Sequence, residues 1–201
     1  MTAFAREPIV LASASTSRAA MLGGAGVAFA TVSAAIDERA LEAEMAGAEP
    51  AEIAQALAAA KAAAVSAAHK DRWVLGSDSL VEVGGRRFDK PASREEAAAH
   101  LAAFCGQTMT LHSAAALARD GRIDWVEADY ARLTVRDLGA DFIAAYLDVE
   151  WPAIGGCAGA FRIEGPGAQL FERIVGDQFT VLGMPLLPVL EALRERGVLL
   201  A

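Results

Sequence analysis

The chain has 201 residues, 54% of them hydrophobic and 22% charged, which is enough for a folded core and excludes a disordered chain. Its net charge of −8 lacks the basic excess of a nucleic-acid-binding domain, so no nucleic-acid polymer is expected as a partner. An anionic small substrate then needs a local basic pocket or a metal. Cys105 and Cys157 stand apart and form no Cys-x-x-Cys pair, which excludes a disulfide framework or zinc site and fits a reducing compartment.

The opening Met-Thr-Ala-Phe-Ala-Arg-Glu-Pro has no basic segment followed by a long apolar core, so no signal peptide is expected. The longest apolar stretch, Ile53 to Ala68, carries Gln55 and Lys61 and reads as a helix rather than a membrane span. The expectation is one domain over residues 1–201, cytoplasmic and not in a membrane.

Ile9 to Ala12 reads as a first strand. Ser13 to Arg18 follows as a hydroxyl-rich turn into a short helix that stops at Gly23-Gly24. Free N–H groups of a first helical turn, the hydroxyls and Arg18 together suit phosphate; an ordinary Ser-capped helix with a surface Arg explains the same residues. Phe29 to Ala35 is a second strand candidate. Asp37-Glu38-Arg39 then offers a carboxylate to complete a metal site, or a solvated turn before a helix. Glu49-Pro50 opens a long helix on which Ile53, Leu57, Lys61 and Val65 share one face. Lys61 on that stripe either snorkels or points into a site.

Val74 to Pro91 is the stretch around which the chain is organised. An apolar run reads as a buried strand stopping at Asp78, between Ser77 and Ser79. A second apolar piece, a Gly84-Gly85 turn and Lys90-Pro91 follow. An acid at a strand end is placed to bind a metal or take a proton from water, and a nearby Lys to neutralise phosphate. A solvated acid and cation flanking a hairpin is the alternative.

Ser93 to Glu96 matches a helix cap, with the helix ending at Gly106 and His100 as a surface or packing residue. Met109 to Ala118 and Ile123 to Val135 read as strands joined by Asp120-Gly121. Phe142 to Leu147 is a helix. Gly155 to Gly167 is dense in glycine, which calls for close backbone approach to a ligand or a set of tight turns. Gly183-Met184-Pro185 opens a last helix. No P-loop, Gly-x-Gly-x-x-Gly fingerprint or Gly-x-Ser-x-Gly elbow is present. Arg94-Glu95-Glu96 begins like a Nudix metal helix, but Ala97 to Ala103 adds no carboxylate.

Four of these stretches, in order, resemble the Maf-like nucleotide pyrophosphatases. Leu11-Ala12-Ser13-Ala14-Ser15-Thr16-Ser17-Arg18 is similar to the family's opening motif, with Thr16 where Pro is usual. Gly76-Ser77-Asp78 with Lys90-Pro91 is similar to its central block, Cys157 to Phe161 with Glu164-Gly165 and Leu170-Phe171-Glu172 to its third, and Gly183-Met184-Pro185-Leu186 to its last. The resemblance implies an α/β fold with a long mixed central sheet, flanking helices and two lobes around a cleft (Maf/ITPase-like), often dimeric. It implies a house-cleaning enzyme that hydrolyses a nucleoside triphosphate to the monophosphate and pyrophosphate with a divalent metal, Mg²⁺ or Mn²⁺.

By residue, the resemblance makes Asp78 the proton acceptor, Ser13, Arg18, Lys61 and Lys90 phosphate or cleft contacts, and Glu38 with Asp78 the acids at the metal. The third block is similar to that of the subgroup acting on 7-methyl-GTP, in which the carboxylate at Glu164 suits a methylated guanine. At the other two positions that separate the subgroups, Ser17 and Ser79 match neither pattern. The alternative to an enzyme is a nucleotide-binding regulator of cell division or septum formation without turnover.

Overall fold

The computed structural model describes residues 4–201. The first three residues of the segment read as lacking a leader lie outside the described residues.

Strand β1, Ile9–Ala12, is buried on both faces. Ile9 and Leu11 join a core with Leu22, Leu75, Met184, Val189 and Leu193, while Val10 and Ala12 pack with Val65 and Val74 on the other side. A continuous apolar run is what a doubly covered parallel strand requires. Helix α1, Thr16–Gly24, follows at once, with Ser15 as its cap. Strand β2, Phe29–Thr31, runs parallel to β1 in the register Ile9↔Phe29. It is shorter than the expected Phe29 to Ala35. Val32 still bonds the Leu11 carbonyl at 2.9 Å, but β1 ends one residue later and leaves nothing to pair with.

Asp37 caps helix α2, Glu38–Glu44, by accepting the Ala40 N–H. Helix α3, Pro50–Ala68, starts with proline in its first turn and a capping box between Glu49 and Glu52. Strand β3, Val74–Val83, corrects the sequence reading. It is one ten-residue strand that runs through Asp78 instead of stopping there. Its parallel neighbour stops in its place: β1 pairs with β3 only as far as Ala12↔Gly76. The acid therefore lies in mid-strand, just past the end of β1.

Strand β4, Arg86–Phe88, returns along β3 as a hairpin. Gly84 and Gly85 both have positive φ, 59° and 73°, as a two-residue turn of this hand demands. Helix α4, Arg94–Phe104, has Ser93 as its cap. Strands β5, Thr108–Arg119, and β6, Arg122–Val135, are joined by Asp120 and Gly121, again both at positive φ. Helix α5 spans Ala140–Glu150 and is longer than expected at both ends. The glycine-rich segment forms two 3-10 turns, Ala153–Gly156 and Pro166–Leu170. Strand β7, Phe171–Val175, and the short helix α6, Gln178–Val181, were not foreseen. Helix α7, Leu186–Glu195, closes the chain.

The strands form one mixed sheet in the order β2-β1-β3-β5-β6-β7, with β4 beside β3, and helices flank it. This is the α/β architecture expected. The chain divides into two compact units. The first holds the residues up to Ser79, His112–Asp129 and Gln178–Ala201; the second holds Leu80–Leu111 and Tyr130–Asp177. Within the second, Phe88 meets His100 and Phe104 edge-on, so His100 is a packing residue as expected. No helix among the described residues is long and apolar enough to cross a membrane.

Candidate active site

Alternation along β3 sorts its residues onto two faces. Gly76 and Asp78 face helix α3. A Cβ at Gly76 would lie 2.2 Å from the Ala58 carbonyl oxygen and 2.7 Å from the Ala62 nitrogen. Only glycine lets α3 approach this closely, and that approach carries Lys61 to the acid. Lys61 Nζ lies 2.6 Å from Asp78 Oδ1 and 3.0 Å from Glu38 Oε2. Lys61 and Asp78 are 9% and 8% exposed, so each needs the other: a buried ion without its partner costs several kcal/mol. Glu38 reaches in from the first turn of α2 and is half-exposed. Lys61 does not snorkel to solvent: it is buried and ends between two carboxylates.

Ser77 and Ser79 lie on the opposite face, where Arg18 is the hub. Its Nε donates to the Gly183 carbonyl at 2.9 Å, and Nη1 to the Ser77 carbonyl at 2.8 Å and to Ser13 Oγ at 3.3 Å. Its Nη2 donates to Ser79 Oγ at 3.0 Å. One guanidinium thus ties together the turn after β1, the middle of β3 and the turn before α7. Burial pulls the Arg18 pKa down, opposed by Asp78 and then Glu38. A guanidinium stays charged at neutral pH regardless. Ser13 Oγ also accepts the Ser15 N–H at 3.2 Å, so the hydroxyl-rich turn folds onto its own backbone. Ser17 is half-buried in the first turn of α1.

The first unit therefore gathers Ser13, Arg18, Glu38, Lys61, Asp78 and Ser79, six of the residues expected from sequence. Its charges balance: two cations face two carboxylates. Among the described residues no three Asp, Glu, His or Cys side chains cluster as a ready-made metal cage.

Lys90 and Glu164 belong to the second unit, and both are exposed. The buried feature there is Glu150, 2% exposed, which grips Arg162 in a bidentate pair at 2.8 and 2.9 Å. That hydrogen bonding raises the Arg162 pKa. Gly167 folds directly onto the same residue: a Cβ there would lie 2.4 Å from the Arg162 carbonyl oxygen. The Tyr146 hydroxyl donates to the Ala160 carbonyl at 3.2 Å, and burial pushes its pKa up. Cys157 is half-buried. Burial first, then Glu164, pushes its thiol up, while Arg162 and Lys90 pull the other way. The glycine density thus serves close approach of the chain to itself at Gly167.

Sequence reasoning passed over Ser77, Ser113 and Gly183. Ser77 is fully buried and donates to the Ala114 carbonyl at 2.7 Å. Ser113 Oγ lies 2.9 Å from Ser79 Oγ. Gly183 stood in a motif already singled out, which was the available signal. Ser113 offered none, because one serine in a long apolar strand looks like any other.

Residues 8–196 match the model of a family described as Maf-like protein. A nucleoside triphosphate pyrophosphatase of Nitrobacter winogradskyi is 45% identical, covering 96% of each chain. Proteins named 7-methyl-GTP pyrophosphatase in Brucella suis and Rhizobium meliloti are 47% and 46% identical, covering 93% and 95% of this chain and 95% and 97% of their own. The chain belongs to the Maf-like family.

Proposed function

We propose that the chain is a nucleoside triphosphate pyrophosphatase, a hydrolase that converts a triphosphate and water to the monophosphate and pyrophosphate. The observation that carries this reading is the Lys61 ammonium set between Asp78 and Glu38, in a chain whose relatives bear that name. Water attacks the α-phosphorus and a new P–O bond forms. Asp78 takes the proton, and the bond to the β-phosphate oxygen breaks as pyrophosphate leaves. Lys61 holds Asp78 through Oδ1 and so fixes the direction of the carboxylate. Ser13 accepts from Arg18 at 3.3 Å, and the Maf-like resemblance implies that Lys90 is a phosphate contact.

A triphosphate approaching a site of balanced charge still needs positive charge of its own. Glu38 and Asp78 are hard oxygen donors on one ammonium, a set that fits Mg²⁺ or Mn²⁺, which commonly take one or two carboxylates and complete their shell with water and phosphate. Such an ion would neutralise the developing charge on the pyrophosphate. The preferred substrate in this proposal is 7-methyl-GTP or another modified nucleotide. Support comes from the names of the Brucella and Rhizobium relatives and from Glu164, whose carboxylate suits the N1–H and N2–H₂ edge of guanine.

The test is pyrophosphate release from 7-methyl-GTP, GTP, dTTP, UTP and CTP with Mg²⁺ or Mn²⁺. The highest kcat/KM on 7-methyl-GTP, with weaker turnover of the other nucleotides, is the expected result. A kcat/KM on pyrimidine or unmodified triphosphates that equals or exceeds that on 7-methyl-GTP keeps the enzyme and removes the preference for the modified guanine. Binding without turnover on every nucleotide, with either metal, replaces the enzyme with a nucleotide-binding regulator.

A further inference from the structure

The Maf-like resemblance implies that Ser79 is a specificity residue. Its surroundings give it other work. A hydroxyl has one donor and two acceptor positions. Ser79 Oγ meets three partners: Arg18 Nη2 at 3.0 Å, the Gly183 carbonyl at 2.9 Å and Ser113 Oγ at 2.9 Å. With its proton on the Gly183 carbonyl and Ser113 donating to it, its hydrogen-bonding capacity is filled by the protein itself. Ser113 is fully buried, and the Thr180 carbonyl at 2.9 Å is the other acceptor within reach of its single proton. Thr180 is buried in turn, and its hydroxyl donates to Asp129 at 2.6 Å.

The Gly183 carbonyl is the other anchor. It accepts from Arg18 Nε and from Ser79 Oγ, and Ser77 Oγ, whose proton goes to the Ala114 carbonyl, lies 3.3 Å away. Gly183 adopts φ +104°, where a side chain is strained, and a Cβ would lie 3.3 Å from Ser79 Oγ. The turn before α7 is thus shaped to present one carbonyl to the guanidinium and to Ser79. With Nη1 on the Ser77 carbonyl, Arg18 is bonded to the residues on either side of Asp78.

We propose that Ser79 and Ser113 are positioning residues that hold Arg18, and through it the Asp78 segment of β3, and that neither reads the nucleotide base. This rests on the pyrophosphatase reading for its kinetic consequences, though not for the state of Arg18.

The experiment compares S79A, S113A and S79T with wild type by two readouts. The first is kcat and KM across the nucleotide panel. S79A and S113A should lower kcat on every nucleotide turned over by a common factor, roughly tenfold, the scale of one charge-assisted hydrogen bond. KM and the ratios between nucleotides should hold. S79T, which keeps the hydroxyl, should recover most of the loss. The second readout is solvent exchange of the Arg18 Nε–H, followed by NMR. It should be slow in wild type, faster in S79A and S113A, and slow again in S79T. A change in the ratio between nucleotides with S79A makes Ser79 a base reader and overturns the proposal. Unchanged Arg18 exchange in both alanine variants overturns it as well. If wild type turns over no nucleotide, the pyrophosphatase reading falls separately and Arg18 exchange alone decides.

Discussion

The two compact units place their charged groups differently. In the first, the candidate groups belong to the buried network: Ser13, Lys61 and Asp78 are each at most 9% exposed. In the second, Lys90 and Glu164 are exposed, and the buried polar structure, Glu150 with Arg162, lies under the backbone that carries Glu164. The contrast teaches that, under the proposed function, stability and chemistry would share the same atoms in the first unit and be separable in the second. Substitutions near Asp78 should damage both together. Substitutions at Glu164 should alter recognition and leave the fold alone.

The largest effect sharpens the first half of that contrast. Asp78→Asn should lower kcat by roughly a hundredfold or more, the scale of losing a general base, while the protein still binds nucleotide. Single-turnover kinetics beside equilibrium nucleotide binding will check this, and near-wild-type turnover would remove Asp78 from the chemistry. Gly76→Ala tests whether fold and site are one structure there. Its Cβ meets the backbone of α3, so about 1–3 kcal/mol of stability should be lost together with activity, measured by urea unfolding and pyrophosphate release.

The second half is tested more gently. Arg162→Ala leaves the Glu150 carboxylate buried without its partner. Because Arg162 itself is 39% exposed, about 2 kcal/mol is expected instead of the full cost of a buried pair. The double variant with Glu150→Gln should regain part of that in the same unfolding experiment, and no regain would mean the pair does not hold the loop. The smallest stability effect belongs to Glu164→Gln, within about 0.5 kcal/mol, as for an exposed side chain. Its effect should appear in the turnover ratio of 7-methyl-GTP to dTTP. A large drop in melting temperature from this variant would erase the distinction between the units.

Much of the first unit was legible in the chain. β1 is a run of four apolar residues, α3 opens on Glu49-Pro50, and the Asp120-Gly121 turn, like Gly84-Gly85 in the second unit, carries the positive φ that a two-residue hairpin needs. Such features depend on local sterics, which a short window of sequence contains. β7 escaped notice because Phe171–Val175 follows a glycine-rich segment and gains its strand character by pairing with β6. The end of β3 was misplaced for a related reason. A polar Ser-Asp-Ser in mid-strand reads as a boundary until the partners of its hydroxyls are known.

The sequence by itself determined which residues are able to do chemistry, Asp78, Lys61, Glu38 and Arg18 among them, because ionisable and hydroxyl groups are visible one at a time. Only the tertiary structure decided what each does. Lys61 became the bridge between two carboxylates because Gly76 lets α3 lie against β3. Arg18 became a hub because β1 ends where β3 continues and the Gly183 carbonyl turns toward it. The energy of a polar group depends on its partner, and the partners of Arg18 lie 59 to 165 residues away at Ser77, Ser79 and Gly183. That pairing is a property of the folded sheet, and no stretch of chain contains it.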